Sequence, residues 1–498
     1  MRLVKAGSLA HSSGLLGLAA VAGRLANVGL LVVLARSVGQ QAVAFYGLAT
    51  LAASFVALTA SLGLSTYVTR AVALGELDRK AVSAIHTARG VVLTVSAAVL
   101  GIVSAAFVPS RFAVGYVLFA LASVADSWND TSWSAIRGTP KAGREAATNA
   151  STYVLGLCVI LFVWRVRGIS FTEASVVWAS SGIVRSFLAC VLTKVWPTAG
   201  FAEIVKALRA HIRRALPYLG SDVLGLAYLR GDTFVLSFFV STTALGSYVA
   251  AASFSSPLVQ VSSAMALGAL ANLGRGAKQG DLEKVVDFFG VAGSGISVAI
   301  SAALPAAVVI LYGSSRGQVL VLSLVLTAFV PLRFCNSAVS SVVLLHGGAA
   351  YRLFIVLFSV LLNVGLNVLL DRHMGARGAA LATVLTEAFV TIGFVDVLRR
   401  QRVRMRRRGI LVITALVDSA YATVLSVALP LREHLGLASA VFVGIHLTIV
   451  VIFLRGLAGE RLSLGASHAH ARAARRPSEG LPCASIAIPT ASSYAGER

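Results

Sequence analysis

The sequence predicts an all-α polytopic membrane protein of about 14 transmembrane helices, built as two six-helix lobes in parallel orientation plus two C-terminal helices. Three observations lead there. The chain is 57% hydrophobic and only 13% charged, with a mean hydropathy of +0.84. Soluble domains carry roughly 25% charged residues, and a chain this poor in charge cannot cover a water-facing surface. Its apolar residues fall in runs of about 20, the length that spans a ~30 Å hydrocarbon layer at about 1.5 Å per helical residue. Finally, the chain contains a copy of part of itself.

Taken in order, spans are expected at 13–35, 43–68, 87–108, 112–136, 148–165 and 174–196. The first run holds Arg24 and Asn27 and lacks a cleavage site, so it reads as a retained span rather than a signal peptide. The fourth ends in the polar stretch Asp126-Ser-Trp-Asn-Asp130. A second set is expected at 215–240, 244–271, 286–312, 318–345, 351–370 and 376–398, followed by 410–430 and 436–454. The 215–240 run is the most polar, with Asp222, Arg230 and Asp232. Beyond about residue 456 the chain is rich in Ala, Arg, Ser and Pro and is expected to be disordered. The expected domains are therefore 1–200, 201–400, the two additional helices at 401–456, and a cytoplasmic tail at 457–498.

The internal repeat joins Arg70-Ala-Val-Ala-Leu-Gly75-Glu-Leu-Asp-Arg79 to Arg275-Gly-Ala-Lys-Gln-Gly280-Asp-Leu-Glu-Lys284. Each copy follows the second span of its half and precedes the third. A weaker match pairs Phe45-Tyr-Gly-Leu-Ala with Leu245-Gly-Ser-Tyr-Val. Units of six spans return the chain to its starting side, so both share one orientation, with the symmetry axis along the membrane normal and a cavity between lobes.

The formal net charge of +23 raises the question of a nucleic-acid partner. The distribution of that charge argues against one. Lys and Arg in loops on the N-terminal side outnumber those on the other side nearly four to one, which is positive-inside topology. Both termini are then cytoplasmic and the chain belongs in the cytoplasmic (inner) membrane, among membrane lipids. The strongest basic blocks are Lys206 to Arg214 and Arg399 to Arg408. Of four cysteines, Cys158, Cys190 and Cys335 lie in apolar runs and Cys483 in the tail, with no CxxC pair. Neither a disulfide framework nor a metal site is indicated. No Walker, zinc or Ser-His-Asp motif stands out, and the outer loops are too short to hold an acceptor. The expectation is a protein that is not an enzyme and binds no cofactor.

The segment Asn363-Val-Gly-Leu-Asn367, continuing through Gly375-Ala-Arg-Gly378-Ala-Ala-Leu-Ala-Thr383 to Glu387, resembles a motif of the MOP flippase superfamily. It is most similar to that of the Wzx-like polysaccharide transporters. The opening Gly39, Phe45-Tyr-Gly-Leu-Ala, Gly63-Leu and Arg70 resembles the same family. On residues alone, Asn363 and Asn367 share a helix face where amides bridge helices in an apolar medium, and the glycines and alanines allow close packing.

Charges at bilayer depth are costly and by default face a cavity or each other. Arg24, Arg89, Arg185, Arg230 and Arg333 all fall within spans. Arg89 is expected to snorkel to the cytoplasmic surface, and Arg185 to find an acid the sequence does not identify. Arg333 follows Pro331, where a kink can open backbone to a cavity. Guanidinium groups stay charged and bind phosphate bidentately, so Arg24, Arg230 and Arg333 are the candidate substrate-binding residues. The alternative for each is a structural ion pair or an interfacial position. Among the acids, Asp126, Asp130 and Asp396 are expected to be solvated at cytoplasmic ends, while Asp232 and Glu387 are candidates for H+ or Na+ coupling. The function that the resemblance implies is flipping of polyprenyl-diphosphate-linked oligosaccharide by alternating access for surface polysaccharide assembly. Polysaccharide polymerase and glycosyltransferases would be its partners. A lipid II flippase and a MATE-type cation-coupled exporter are the alternatives. The latter branch uses a carboxylate in its first helix, where this chain has Arg24.

Overall fold

Hydrocarbon offers the backbone no hydrogen-bond partners, so a spanning segment must satisfy its own N–H and C=O groups as a helix. The computed structural model describes residues 6–400 apart from 74, 138–142, 274–278, 314–315 and 346–348. The expected spans at 410–430 and 436–454 and the C-terminal tail lie outside the described residues. Those residues form fourteen α-helices and no strand. The first half holds α1 (Ala6–Ser37), α2 (Gln40–Ser61), α3 (Leu64–Ala73), α4 (Arg79–Phe107), α5 (Ser110–Arg137), α6 (Gly143–Arg167) and α7 (Phe171–Thr193). The second holds α8 (Phe201–Leu236), α9 (Thr242–Leu273), α10 (Gln279–Tyr312), α11 (Arg316–Thr327), α12 (Val330–Leu345), α13 (Ala349–Met374) and α14 (Ala376–Arg400).

Ten helical stretches among the described residues are long and apolar enough to cross a membrane. Helices α8 and α9 are not among them, and their sequences say why. Glu203, Lys206, Arg209, Asp222, Arg230 and Asp232 interrupt α8, and α9 carries Ser253, Ser255, Ser256 and Gln260. Of these, Arg230 and Asp232 of α8 and all four polar positions of α9 line the interior cavity described below. Elsewhere the outer surface is apolar. Val91, Val95, Val99 and Ile102 on α4, and Leu353, Phe354, Leu357 and Leu361 on α13, are exposed at helical spacing. Apolar stripes of that length are not tolerated on a water-facing monomer and mark a lipid-facing wall.

Two expected spans are each broken into two helices. The 43–68 run splits into α2 and α3 at Leu62 and Gly63, both left-handed at φ 45° and φ 76°. A Cβ on Gly63 would lie 2.6 Å from the Leu219 backbone nitrogen, so only glycine lets α8 approach this closely. The 318–345 run splits into α11 and α12 at Ala328 and Phe329, whose amides make short-range bonds to Val325 and Leu326. Pro331 then sits in the first turn of α12, where its missing N–H costs least.

The packing partners recur between halves. α1 packs on α6 as α8 packs on α13, and α5 on α7 as α12 on α14. Likewise α6 lies on α7 as α13 lies on α14. The repeated loop motif is used differently in its two copies: Asp78 caps α4 by accepting from the Ala81 amide at 2.8 Å, whereas Gly280 to Glu283 already belong to α10. Across the halves, α9 packs on α1 and α2, and α8 on α3 and α4. The α2–α9 crossing is close because a Cβ on Gly47 would sit 2.7 Å from Val249.

In the family-like motif, Gly375 turns the chain at φ 58°, and a Cβ on Gly378 would meet the Leu370 carbonyl carbon at 2.5 Å. Asn363 donates to Thr386 Oγ1 at 3.2 Å, tying α13 to α14. Asn367 instead donates to Asn363, at 2.7 Å to its carbonyl and 3.1 Å to its side chain.

Candidate functional site

Helices α1, α2, α8, α9, α12 and α14 surround a cavity of about 210 Å³, with Leu326 of α11 at its edge. All five residues singled out from the sequence line it: Arg24, Arg230, Arg333, Asp232 and Glu387. They arrive from four helices. Arg24 and Asn27 stand one turn apart on α1, facing Tyr46 and Thr50 of α2. Arg230 and Asp232 come from α8, Arg333 from α12 and Glu387 from α14.

The three arginines differ in electrostatic state. Arg333 Nη1 holds Glu387 Oε1 at 3.1 Å, with its guanidinium carbon 5.0 Å from the centroid of the Tyr228 ring. Glu387 is fully engaged: the Tyr228 hydroxyl donates to Oε1 at 2.5 Å and Asn336 Nδ2 to Oε2 at 2.7 Å. Thr391 in turn donates to Asn336 Oδ1 at 2.9 Å. Arg333 and Glu387, candidates from the sequence for substrate binding and for ion coupling, are thus engaged with each other. By contrast, neither Arg24 nor Arg230 makes a salt bridge among the described residues. Although Arg230 and Asp232 line the same cavity, they do not pair. Asp232 accepts from the Thr233 amide at 2.6 Å and from the Tyr248 hydroxyl.

The other intramembrane charges need correction. Arg89 does not snorkel. It is 1% exposed, and donates to Ser65 Oγ at 2.7 Å, to Thr131 and to the Ser127 carbonyl at 3.1 Å. Arg185 finds its acid in Asp126, through Nε at 2.8 Å and through Nη2. Tyr153 donates to the same carboxylate at 2.7 Å, and its ring lies 3.9 Å from the Arg185 guanidinium carbon. Asp130 holds Arg137 at 2.5 Å. Asp126 and Asp130 are therefore paired, not merely solvated. Asp396 accepts from Tyr351 at 3.4 Å.

The sequence reading missed one carboxylate altogether. Asp371 is 2% exposed, and neither of its oxygens has a hydrogen-bond partner. Asn367 Oδ1, one turn earlier on α13, is likewise buried without a donor. Asp232 lies within electrostatic reach of Asp371. The signal was available: Asn363, Asn367 and Asp371 recur every four residues on one face, but the expected span stopped at residue 370. Buried acceptors without donors are rare, because desolvation is then uncompensated. Three such oxygens on one face of α13, within electrostatic reach of Asp232, are acceptors that a proton would satisfy.

Comparisons with known proteins agree with this architecture. The profile of the family described as "Polysaccharide biosynthesis protein" matches residues 9–270, just over half of the chain. No curated protein matches by sequence. Among solved structures, the chain is similar to the lipid II flippase MurJ in an inward closed conformation, at 13% identity and a TM-score of 0.62. The alignment covers 89% of this chain and 99% of that one. It is similar to the eukaryotic MATE transporter AtDTX14, at 12% identity and a TM-score of 0.56, covering 81% of this chain and 98% of that one. A MOP-superfamily transporter from Pyrococcus furiosus aligns at 15% identity with a TM-score of 0.50, covering 80% and 98%. At these identities the likeness establishes a fold, and the profile establishes the family. The chain belongs to the polysaccharide biosynthesis protein family and is a multi-pass membrane protein with the fold of the MOP-superfamily flippases and transporters.

Proposed function

We propose that this protein flips polyprenyl-diphosphate-linked oligosaccharide from the cytoplasmic to the outer leaflet of the inner membrane, feeding surface polysaccharide assembly. One observation carries the reading: Arg24 and Arg230 line a shared interior cavity, and neither makes a salt bridge among the described residues. Two guanidiniums at membrane depth without a salt bridge are costly unless an anion joins them. A diphosphate offers oxygens that match their planar donor geometry. The cavity is smaller than the roughly 300–1,000 Å³ typical of drug-sized ligand sites, so the glycan requires a more open state. In this reading the 1–200 and 201–400 halves rock about the α1/α2–α9 and α3–α8 contacts, both termini are cytoplasmic, and glycosyltransferases and a polysaccharide polymerase act before and after. Asp232, with Asp371 and Asn367, takes the coupling proton or sodium ion, while Glu387 clamps Arg333.

A MATE-type exporter of cationic drugs is disfavoured, since its guest would meet Arg24 and Arg230. Lipid II shares the diphosphate and would use the same pair. The test is an Arg24→Ala, Arg230→Ala double variant at unchanged membrane abundance in a deletion strain. Lipid-linked oligosaccharide should accumulate on the cytoplasmic leaflet, with export reduced about 100-fold, as expected for two charge-assisted contacts at about 1.5 kcal/mol each. Normal export would remove the diphosphate reading. Accumulation of lipid II instead would reassign the glycan.

A further inference from the structure

A second cavity, of about 770 Å³, lies wholly within the second half, among α8, α9, α12, α13 and α14. It shares Tyr228, Leu229 and Arg333 with the central cavity, so the Arg333–Glu387–Tyr228 cluster is the partition between two chambers. Its walls differ in chemistry. Helix α12 presents Asn336, Ser337, Ser340 and Ser341, whereas α8, α13 and α14 present Leu224, Leu353, Val356 and Phe394.

Among the described residues, the charged side chains that line this chamber are Arg333, which is paired with Glu387, and Arg352. Arg352 makes no ion pair among the described residues. Arg333 turns Nη1 to Glu387 and leaves Nε buried without a partner. Arg352 stands near the start of α13 and Ser341 near the end of α12, so the chamber reaches toward the α12–α13 connection. That connection is on the side richer in Lys and Arg. Hydroxyls and guanidiniums facing an aliphatic wall suit an amphiphile with a phosphate head and a hydrocarbon chain.

We propose that this chamber is a loading site for a phosphate-bearing polyprenyl lipid, whose head group is held by Arg352 and the α12 hydroxyls before the Arg333–Glu387 pair parts and admits it to Arg24 and Arg230. The proposal rests on the anionic-lipid reading of the central cavity, and its test separates the two. The purified full chain in detergent is titrated with farnesyl diphosphate, a short soluble polyprenyl diphosphate, and bound molecules are counted by native mass spectrometry. Wild type should bind two. Arg352→Ala should weaken one of them about tenfold, the loss of one charge-assisted contact. Ser340→Leu, which fills the chamber and leaves every charge in place, should weaken the same one. Inorganic pyrophosphate and farnesol, head and tail alone, should each bind that site about tenfold more weakly than farnesyl diphosphate. Circular dichroism confirms that each variant is folded.

Unchanged binding in both Arg352→Ala and Ser340→Leu would overturn the loading site. If the sole bound molecule is lost in Arg24→Ala, Arg230→Ala and unaffected in the other two, the chamber is rejected and the central site stands. If it is lost in Arg352→Ala and Ser340→Leu and unaffected in the central variant, the chamber stands and the central reading fails.

Discussion

Of the five arginines within the expected spans, two are paired with carboxylates, one is hydrogen-bonded by hydroxyls and a carbonyl, and two make no salt bridge among the described residues. Arg185 and Arg333 form matching clusters, each with an acid and a tyrosine that donates to that acid while stacking near the guanidinium. The acid and base exchange helices between the two: Asp126 is on α5 with Arg185 on α7, whereas Arg333 is on α12 with Glu387 on α14. No sequence pattern could reveal this exchange, because residue type alone does not say which charges meet. At Asp371 the unpartnered oxygens make a sharp expectation. Asp371→Asn removes a buried charge without a donor, so thermal stability in detergent should rise by about 1 kcal/mol. Export should at the same time lose its dependence on a sodium or proton gradient. A variant that keeps its gradient dependence would exclude Asp371 from coupling.

At the scale of helices, glycines decide where spans break and how closely they cross. Gly63 and Gly375 both have positive φ, but their surroundings differ. A Cβ at Gly375 would lie 3.6 Å from Val240, an ordinary contact, while one at Gly63 would enter the backbone of α8. Gly375→Ala should therefore cost about 1 kcal/mol of left-handed strain alone. Gly63→Ala should cost at least twice that, about 2 kcal/mol or more, and displace α3 from α8. Thermal unfolding of the two variants in detergent checks the order. Equal losses would mean that α8 yields to the new methyl group. The break at Gly63 was not legible in the apolar run, since hydropathy carries no record of a neighbour's backbone.

For the whole molecule, the halves meet along α1 and α2 against α9, and again at α3 and α4 against α8. The α3–α8 contact joins a small apolar cluster to polar links: the Tyr67 hydroxyl lies 3.0 Å from His211 Nδ1, and Arg70 donates to the Tyr218 hydroxyl at 2.8 Å. Water can replace such contacts on opening. The α2–α9 crossing is instead tight and apolar, centred on Gly47 and Val249. If alternating access separates these helices, a Gly47→Cys, Val249→Cys pair oxidised to a disulfide should stop export, and a reductant should restore it. Export undiminished by a complete cross-link would show that this crossing stays shut throughout transport.

The sequence by itself determined that the chain is helical, that it is built of many apolar runs long enough to cross a membrane, and that charge stands inside some of them. Those properties follow from the helix rise, the thickness of hydrocarbon and the cost of burying charge, all local to a segment. It also singled out five of the residues that line the cavity, because ionisable groups at lipid depth are few. Only the tertiary structure decided which of those charges are spent on each other. Arg333 is held by Glu387 and Arg185 by Asp126, while Arg24 and Arg230 make no salt bridge among the described residues, and Asp371 is buried without a donor. Pairing depends on distances of a few ångströms between helices far apart in the chain, and a linear pattern does not contain them.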